Sequence, residues 1–274
     1  MQSSEFMAPV LSVIVATFNR NWEAIAHTQR CLASLMATSD PNLVEIIITD
    51  DCSPIWQPIE WYGPPIKVSR NERNLGFAAN CNQGAKLATA PWLLFLNSDT
   101  LAQMGWMQEL LVAIKRHPNA VLGPKLIFPP TDGIARIQSA GGLYDSGKHP
   151  FHRYIGSKAD WSGVNIEERV AWTTGAAIAM PKTLFEALGG FDEGFVRGYF
   201  EDVDLCERAK QAGAEIWYVP SACFIHATGQ STAAQDEDEK VRFARTFQHN
   251  RQRFHVRWDS VIEPDIGAVL QPGL

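Results

Sequence analysis

The chain of 274 residues has no CxxC pair, and its five cysteines, Cys31, Cys52, Cys81, Cys206 and Cys223, are scattered. That spacing offers neither a thiolate zinc cage nor a disulfide framework, and it fits reduced thiols in a cytoplasmic protein. Long apolar runs are also missing. Trp92 to Leu96 is typical of those present, far short of the roughly 20 residues that span a bilayer. The polar opening, Met1 to Ala8, lacks the charged-then-apolar pattern of a secretory leader. Positive charge is not in excess: 24 Lys and Arg against 30 Asp and Glu give a net charge of -6. A general nucleic-acid binder needs a basic surface, so no nucleic-acid partner is expected. No GxGxxG follows the first apolar run, where TFNR stands instead, which speaks against a dinucleotide dehydrogenase. A Walker pattern and the early glycine-rich loop of a sugar-phosphate nucleotidyltransferase are likewise absent, as are internal repeats.

What is present is a core and an alternation. Hydrophobic residues make up 46% of the chain, enough for one compact α/β unit. Val10 to Ala16 and Val44 to Thr49 are unbroken, β-branched runs of the kind buried on both faces of a parallel sheet. Between them Ala24, Ile25, Thr28, Cys31, Leu32 and Leu35 recur at helical spacing, which predicts a helix over Trp22 to Met36. Ile66 to Ser69 reads as a strand, Phe77 to Leu87 as a helix and Trp92 to Leu96 as a strand. This βαβαβ order predicts a single, mostly parallel sheet flanked by helices, with ligands at the carboxyl ends of its strands.

The second half differs in texture. Phe128 to Val170 is loop-rich, with a hairpin expected near Gly141 to Gly147. Thr174 to Met180 reads as a strand, Lys182 to Leu188 and Glu201 to Ala212 as helices, and Ile216 to Val219 and Ala222 to Ile225 as two short strands. Asp236 to Arg253 reads as a long helix, and the chain beyond Val261 as a tail.

Polar clusters follow three of the strands. Asn97-Ser98-Asp99 delivers a carboxylate to the sheet edge, where hard oxygen ligands suit Mg²⁺ or Mn²⁺; the same tripeptide also makes an ordinary Asx turn. Of Asp50 and Asp51, one can accept a hydrogen bond from a nucleobase while the other caps a turn with Ser53 and Pro54. RNLGFAANCNQG, Arg73 to Gly84, surrounds a helix start, and such amides together with an arginine favour a diphosphate. A polar cap before a solvated helix face gives the same pattern.

In order and spacing, VIVATFNR, EIIITDDCS, RNLGFAANCNQG, WLLFLNSDT, GAAIAM, GGFDEGFVRGYFEDVDLCERAKQAG and IHATGQS resemble family 2 of the inverting glycosyltransferases. The similarity is closest to the rhamnosyltransferase-like branch that builds bacterial cell-surface polysaccharide, including lipopolysaccharide, and covers roughly Val10 to Ser231. It implies a GT-A type fold over 9–258, with a nucleotide-sugar-binding half (9–127), an acceptor and catalytic half (128–231), a C-terminal helix (232–258) and a tail (259–274). It further implies transfer of a sugar from dTDP-rhamnose or a UDP-sugar to a hydroxyl of a glycan or lipid-linked glycan, with inversion. By the same resemblance Thr17, Asn19, Arg20 and Asp50 line the nucleotide pocket, with Arg73, Asn74, Gly76, Asn82 and Asn97 near the donor. Asn97-Ser98-Asp99 stands at the family's DxD position with its first acid replaced, so Asp99 is the main ligand of Mn²⁺ or Mg²⁺ and His226 completes the site. Asp202 is the matching general base, and Glu201 beside it orients the acceptor.

Two further readings remain open. An inactive transferase fold serving as a sugar-nucleotide or glycan-binding module would use some of the nine tryptophans for stacking. In the C-terminal helix, Phe243, Phe247, Phe254 and Trp258 recur among five arginines; such a stripe docks either on an anionic membrane, peripherally on its inner face, or on the protein's own core or a second copy.

Overall fold

The computed structural model of the chain describes residues 8–56, 63–227 and 237–265. Its first half is β1 (Leu11–Thr17), α1 (Trp22–Thr38), β2 (Val44–Asp50), β3 (Ile66–Arg70), α2 (Phe77–Leu87), β4 (Trp92–Asn97), β5 (Thr100–Ala102), α3 (Trp106–Arg116) and β6 (Val121–Ile127). Then come β7 (Ile137–Ser139), β8 (Gly142–Tyr144), β9 (Pro150–His152), β10 (Glu168–Arg169), β11 (Ala177–Pro181), α4 (Lys182–Ala187), α5 (Glu201–Gln211), β12 (Ile216–His226) and α6 (Glu237–Trp258). The main sheet runs β10-β12-β6-β11-β4-β1-β2-β3; β11 lies antiparallel between β4 and β6, and β8 with β9 forms the expected hairpin apart from it.

Strand alternation builds two apolar layers, one on each face of this sheet. Ile14, Ile47, Leu93 and Phe95 face Ala78, Cys81 and Ala85 of α2, together with buried residues of α4, α5 and α6. Their neighbours Val13, Val15, Ile46, Leu94 and Leu96 face Leu32 and Leu35 of α1 and Trp106 and Leu110 of α3. Gly84 lets α2 lie close: a Cβ there would stand 2.4 Å from Ile14 Cγ2.

Five elements fall where the sequence reading places none: the short strands β5, β7 and β10, and the longer α3 and β6. The Gly123-Pro124 pair inside β6 imitates a turn signal. It is tolerated because β6 pairs with β11 only at Leu122, and its register against β12 shifts between Val219 and Cys223. Across that same irregularity the two short strands expected over 216–225 join into the single strand β12. All five cysteines are unpaired thiols. Among the described residues no helix is long and apolar enough to cross a membrane.

The aromatic stripe of α6 is turned inward. Phe254 and Trp258 are buried, Phe243 and Phe247 pack edge-on against Tyr199, and Phe247 and Phe254 flank Phe200. Phe254 and Trp258 are therefore not available to a membrane surface, while Phe243 and Phe247 are half-buried. The i, i+4 spacing of Asp204 and Arg208 on α5 reads from the sequence as an exposed ion pair, but Asp204 is fully buried, and α6 is bolted at its far end through it. Its Oδ2 accepts from Arg208 Nε at 2.8 Å, and its Oδ1 accepts from Arg257 Nη1 at 2.7 Å and Trp258 Nε1 at 2.9 Å. Removing this carboxylate leaves the buried indole N–H unpaired and takes the charged partner from Arg208, which keeps only the Leu188 and Gly190 carbonyls, while Arg257 keeps Asp192. Asp204→Ala is expected to cost about 3 kcal/mol, which for a domain of this size lowers the melting temperature by roughly 6–12 °C. Thermal unfolding checks this; a fall of only about 1 °C would make the cluster incidental.

Candidate active site

The strands end level with one another: Thr17 stands opposite Asp50, Ala16 opposite Asn97, and Asp50 opposite Arg70 at the end of β3. In open α/β sheets the crevice outside these carboxyl ends is where ligands bind.

Asp50 and Asp51 have separate tasks. Asp50 is fully buried. Its Oδ1 accepts from the Thr17 and Ser53 hydroxyls, and its Oδ2 accepts from Ser53 N at 3.0 Å and pairs with Arg70 Nη1 at 3.1 Å. Charge-assisted bonds of this kind offset the cost of burying a carboxylate. Arg70 also lies 5.2 Å from the Trp56 ring centroid. The Asn19 backbone donates to Ser53 Oγ at 2.7 Å, and its side-chain Oδ1 accepts from Thr28 at 2.9 Å, so Asn19 fixes the wall of this pocket. The Arg20 guanidinium stands 5.5 Å from the Phe18 ring. The turn with Ser53 thus belongs to Asp50, and Asp51 instead fixes the later loop: its Oδ1 accepts from Asn71 Nδ2 at 2.9 Å and Leu75 N at 2.7 Å, its Oδ2 from Gly76 N at 2.9 Å.

Asp51 thereby shapes the loop that carries Arg73 and Asn74, both exposed, into the N-terminus of α2. Gly76 caps that helix at φ 87°, where a Cβ would meet Arg197 N at 3.1 Å. Asn82 departs from its expected place beside the donor. Its Nδ2 donates to Phe191 O and Glu193 Oε1, and its Oδ1 accepts from Phe191 N, all at 2.9 Å, so the amide is spent on the turn after α4.

Beyond β4, three side chains converge. His226, at the end of β12, presents Nε2 at 3.0 Å from Asp99 Oδ1 and 3.3 Å from Asn97 Nδ2. Gln138 on β7 orients the ring. Its Nε2 donates to the His226 carbonyl at 3.2 Å, which turns its Oε1 toward His226 Nδ1 at 2.7 Å. Nδ1 therefore carries the proton, the usual outer hydrogen bond of a metal-binding histidine. The lone pair of Nε2 then faces a carboxylate oxygen, and either an imidazolium proton or a cation holds such a pair together. The nitrogen and oxygen donor set fits Mn²⁺ or Mg²⁺. Among the described residues no three His, Cys, Asp or Glu are grouped to hold a metal, so a cation here would take its remaining ligands from phosphate or water.

Glu201 and Asp202 open α5. Asp202 Oδ2 accepts from Gly175 N and Oδ1 from Val203 N, both at 2.8 Å. Glu201 is buried, and its Oε2 has no partner among the described residues. Burial raises the pKa of both; Glu201 is pushed well above the carboxylate range by burial and by the neighbouring Asp202 charge, whereas backbone donors hold Asp202 back. Glu201 thus keeps a proton and Asp202 gives its proton up more readily.

The segment 174–176 joins these parts. Asn97 N donates to Ala176 O at 3.0 Å, Gly175 N donates to Asp202, and a Cβ on Gly175 would stand 3.3 Å from the Phe77 ring at the start of α2. Sequence reasoning missed Arg70, Gln138 and Gly175. Only Arg70 carries a readable signal, its place at the end of a strand beside Asp50; Gln138 sits in a loop-rich stretch without pattern. The part of IHATGQS from Thr228 to Ser231 lies outside the described residues.

A parallel 3-2-1-4 half-sheet with its polar edge, joined to an acid-bearing helix, is the fold of the GT-A glycosyltransferases. The solved structure of GalNAc-T7 with UDP, GalNAc and Mn²⁺ superposes with a TM-score of 0.66 at 18% identity, over 91% of this chain and 51% of that one. Residues 12–176 match Glycosyl transferase family 2, and the chain belongs to that family. It is 29% identical over 249 residues to the N-acetylglucosaminyl-diphospho-decaprenol L-rhamnosyltransferase of Mycobacterium tuberculosis, covering 82% of this chain and 78% of the relative. It is 25% identical to protein y4gI of Sinorhizobium fredii over 94% of its own length, but spans only 29% of that relative.

Proposed function

We propose that the protein transfers a sugar from a nucleoside diphosphate donor to a hydroxyl of a glycan or lipid-linked glycan, with inversion at the anomeric carbon. The observation that supports it is the convergence around 174–176 of the Asp99–His226 pair, the half-buried carboxylate of Asp202 and the amide-rich start of α2. Thr17, Asp50 and Arg70 form the floor that receives the nucleoside, and Asn74 and Gly76 lie toward the diphosphate. Asp99 and His226 hold Mn²⁺ or Mg²⁺, with Asn97 beside them. When bound, the cation neutralises charge that grows on the leaving diphosphate. Asp202 takes the proton of the acceptor hydroxyl as its oxygen bonds to the anomeric carbon. The bond to the nucleoside diphosphate breaks on the opposite side, and the diphosphate leaves with the electron pair. Glu201, whose carboxyl is buried beside Asp202, does not reach the acceptor and acts through its neighbour. The relative from Mycobacterium, named as an L-rhamnosyltransferase, supports rhamnose as the transferred sugar; the GalNAc-T7 fold is compatible with a UDP-sugar.

The competing reading, a catalytically silent binding module, relies on tryptophan surfaces. Four of them, Trp92, Trp106, Trp172 and Trp258, are buried in the core. A panel of UDP- and dTDP-sugars with Mn²⁺ or Mg²⁺, followed by nucleoside diphosphate release and by calorimetry, tests the proposal. The expected result is release from at least one donor, abolished by chelator. Binding without release for every donor, with and without lipid-linked acceptors, would favour the module.

A further inference from the structure

Among the described residues, the longest run of backbone at positive φ, and the one that includes residues other than glycine, spans 197–200. Arg197, Gly198, Tyr199 and Phe200 have φ of 64°, 152°, 76° and 73°, and the run ends directly before Glu201 and Asp202. Three of these four residues carry side chains that disfavour such angles, so the run persists only where its surroundings over-determine it. Asn250, fully buried on α6, supplies that hold. Its Nδ2 donates to the carbonyls of Val196 at 2.9 Å, Gly198 at 2.8 Å and Tyr199 at 3.2 Å, and its Oδ1 accepts from Val196 N at 3.1 Å. Every polar atom of this amide is spent on the loop. On its other side the loop meets the donor segment, where Arg197 O accepts from Phe77 N at 3.2 Å.

We propose that Asn250 is a positioning residue: through it, α6 holds the strained 197–200 loop in the one conformation that aims Asp202 at the crevice. This rests on the reading of Asp202 as the base. Asn250 is not what docks α6. Arg253 and Arg257 pair with Asp192 at 2.8 and 2.9 Å, Arg257 and Trp258 bind Asp204, and Phe254 is buried. With those contacts intact, loss of the amide frees the loop and leaves the helix seated. The loop then relaxes toward ordinary angles, and the first turn of α5 loses its fixed start.

The test compares Asn250→Ala and the near-isosteric Asn250→Asp, which keeps the acceptor and loses all three donated bonds, with the wild type. Hydrogen exchange of the amides over 197–203 is expected to speed up about tenfold or more in both variants, while exchange in β1 and β4 is unchanged. Nucleoside diphosphate release from UDP-N-acetylglucosamine and dTDP-rhamnose with Mn²⁺ should show kcat lower by about tenfold or more with the donor KM little changed. Adding Arg197→Gly to Asn250→Ala removes one disfavoured left-handed side chain and should restore part of both the protection and kcat. Asp202→Asn run in parallel separates the two ideas: normal turnover in that variant sinks the base assignment, while the exchange data still judge the clamp. Unchanged loop exchange in a folded Asn250 variant overturns the proposal, as does faster exchange with an unchanged kcat. If the wild type turns over neither donor, the exchange result alone decides.

Discussion

Asp202→Asn is expected to fold, to bind donor as the wild type does, and to lose turnover by about a hundredfold or more, the usual consequence of removing a general base. Asp202 stands in the first turn of α5, where acids are common merely as caps, so the prediction must separate the two roles. The side chain accepts one backbone bond on each oxygen, from Gly175 and Val203. Asparagine keeps one of these and offers an NH₂ in place of the other, a loss on the order of 1 kcal/mol that a folded domain withstands. If capping were the whole role, turnover would stay near normal. A base has no substitute: the amide does not accept the hydroxyl proton at any usable pH.

The pH profile carries the same assignment. Burial raises the Asp202 carboxyl above its ordinary value, and below its pKa the protonated group cannot accept a proton. The acid limb of turnover is therefore expected above the ordinary aspartate range of about 3.9, with activity lost as pH falls. Glu201 is held protonated by burial and by its neighbour, so Glu201→Gln, which copies the neutral form, should cost less than about tenfold. Full turnover by Asp202→Asn on a transferred acceptor would return that residue to its capping role.

The second large effect is expected at the cation pair. Asp99→Ala should weaken metal-dependent nucleotide binding by about a hundredfold or more, since even an outer partner of a metal ligand is worth roughly 10–100-fold. The fold is not at stake, because the bond that ties Asp99 into the sheet edge is its backbone carbonyl accepting from Ala227 N at 3.0 Å. His226 keeps its bonds to Gln138 in this variant. Calorimetry with UDP and dTDP, with Mn²⁺ and then with chelator, reads the effect. Equal affinity in wild type and Asp99→Ala, with no response to chelator in either, would remove the cation from the mechanism.

Much of the scaffold was legible because it is written in short-range patterns. Unbroken runs such as VEIIITD can lie only inside a sheet covered on both faces, and Phe77–Leu87 was bounded correctly by its preceding polar loop and its apolar spacing. The polar residues after β1, β2 and β4 pointed to one edge because parallel strands bring their carboxyl ends together. Where a local pattern was broken by a tertiary accommodation, the reading failed: Gly123-Pro124 concealed β6, and the irregularity beside it split β12 in two.

By itself, then, the sequence determined the order of elements, the sheet edge that carries chemistry, and a short set of acids there. Only the tertiary structure decided what each acid does. Asp50 and Asp51 are chain neighbours with the same functional group, yet one meets Arg70 and the other meets the amides of Leu75 and Gly76. Asp204 reads as a solvent-facing partner of Arg208 until α6 arrives to bury it, and Asn250 has no signature at all until its amide meets the 197–200 loop. Periodicity is a property of neighbours along the chain, fixed by backbone geometry. The partner of a carboxylate or an amide is fixed by which distant segment the fold brings within 3 Å, and no local pattern encodes that.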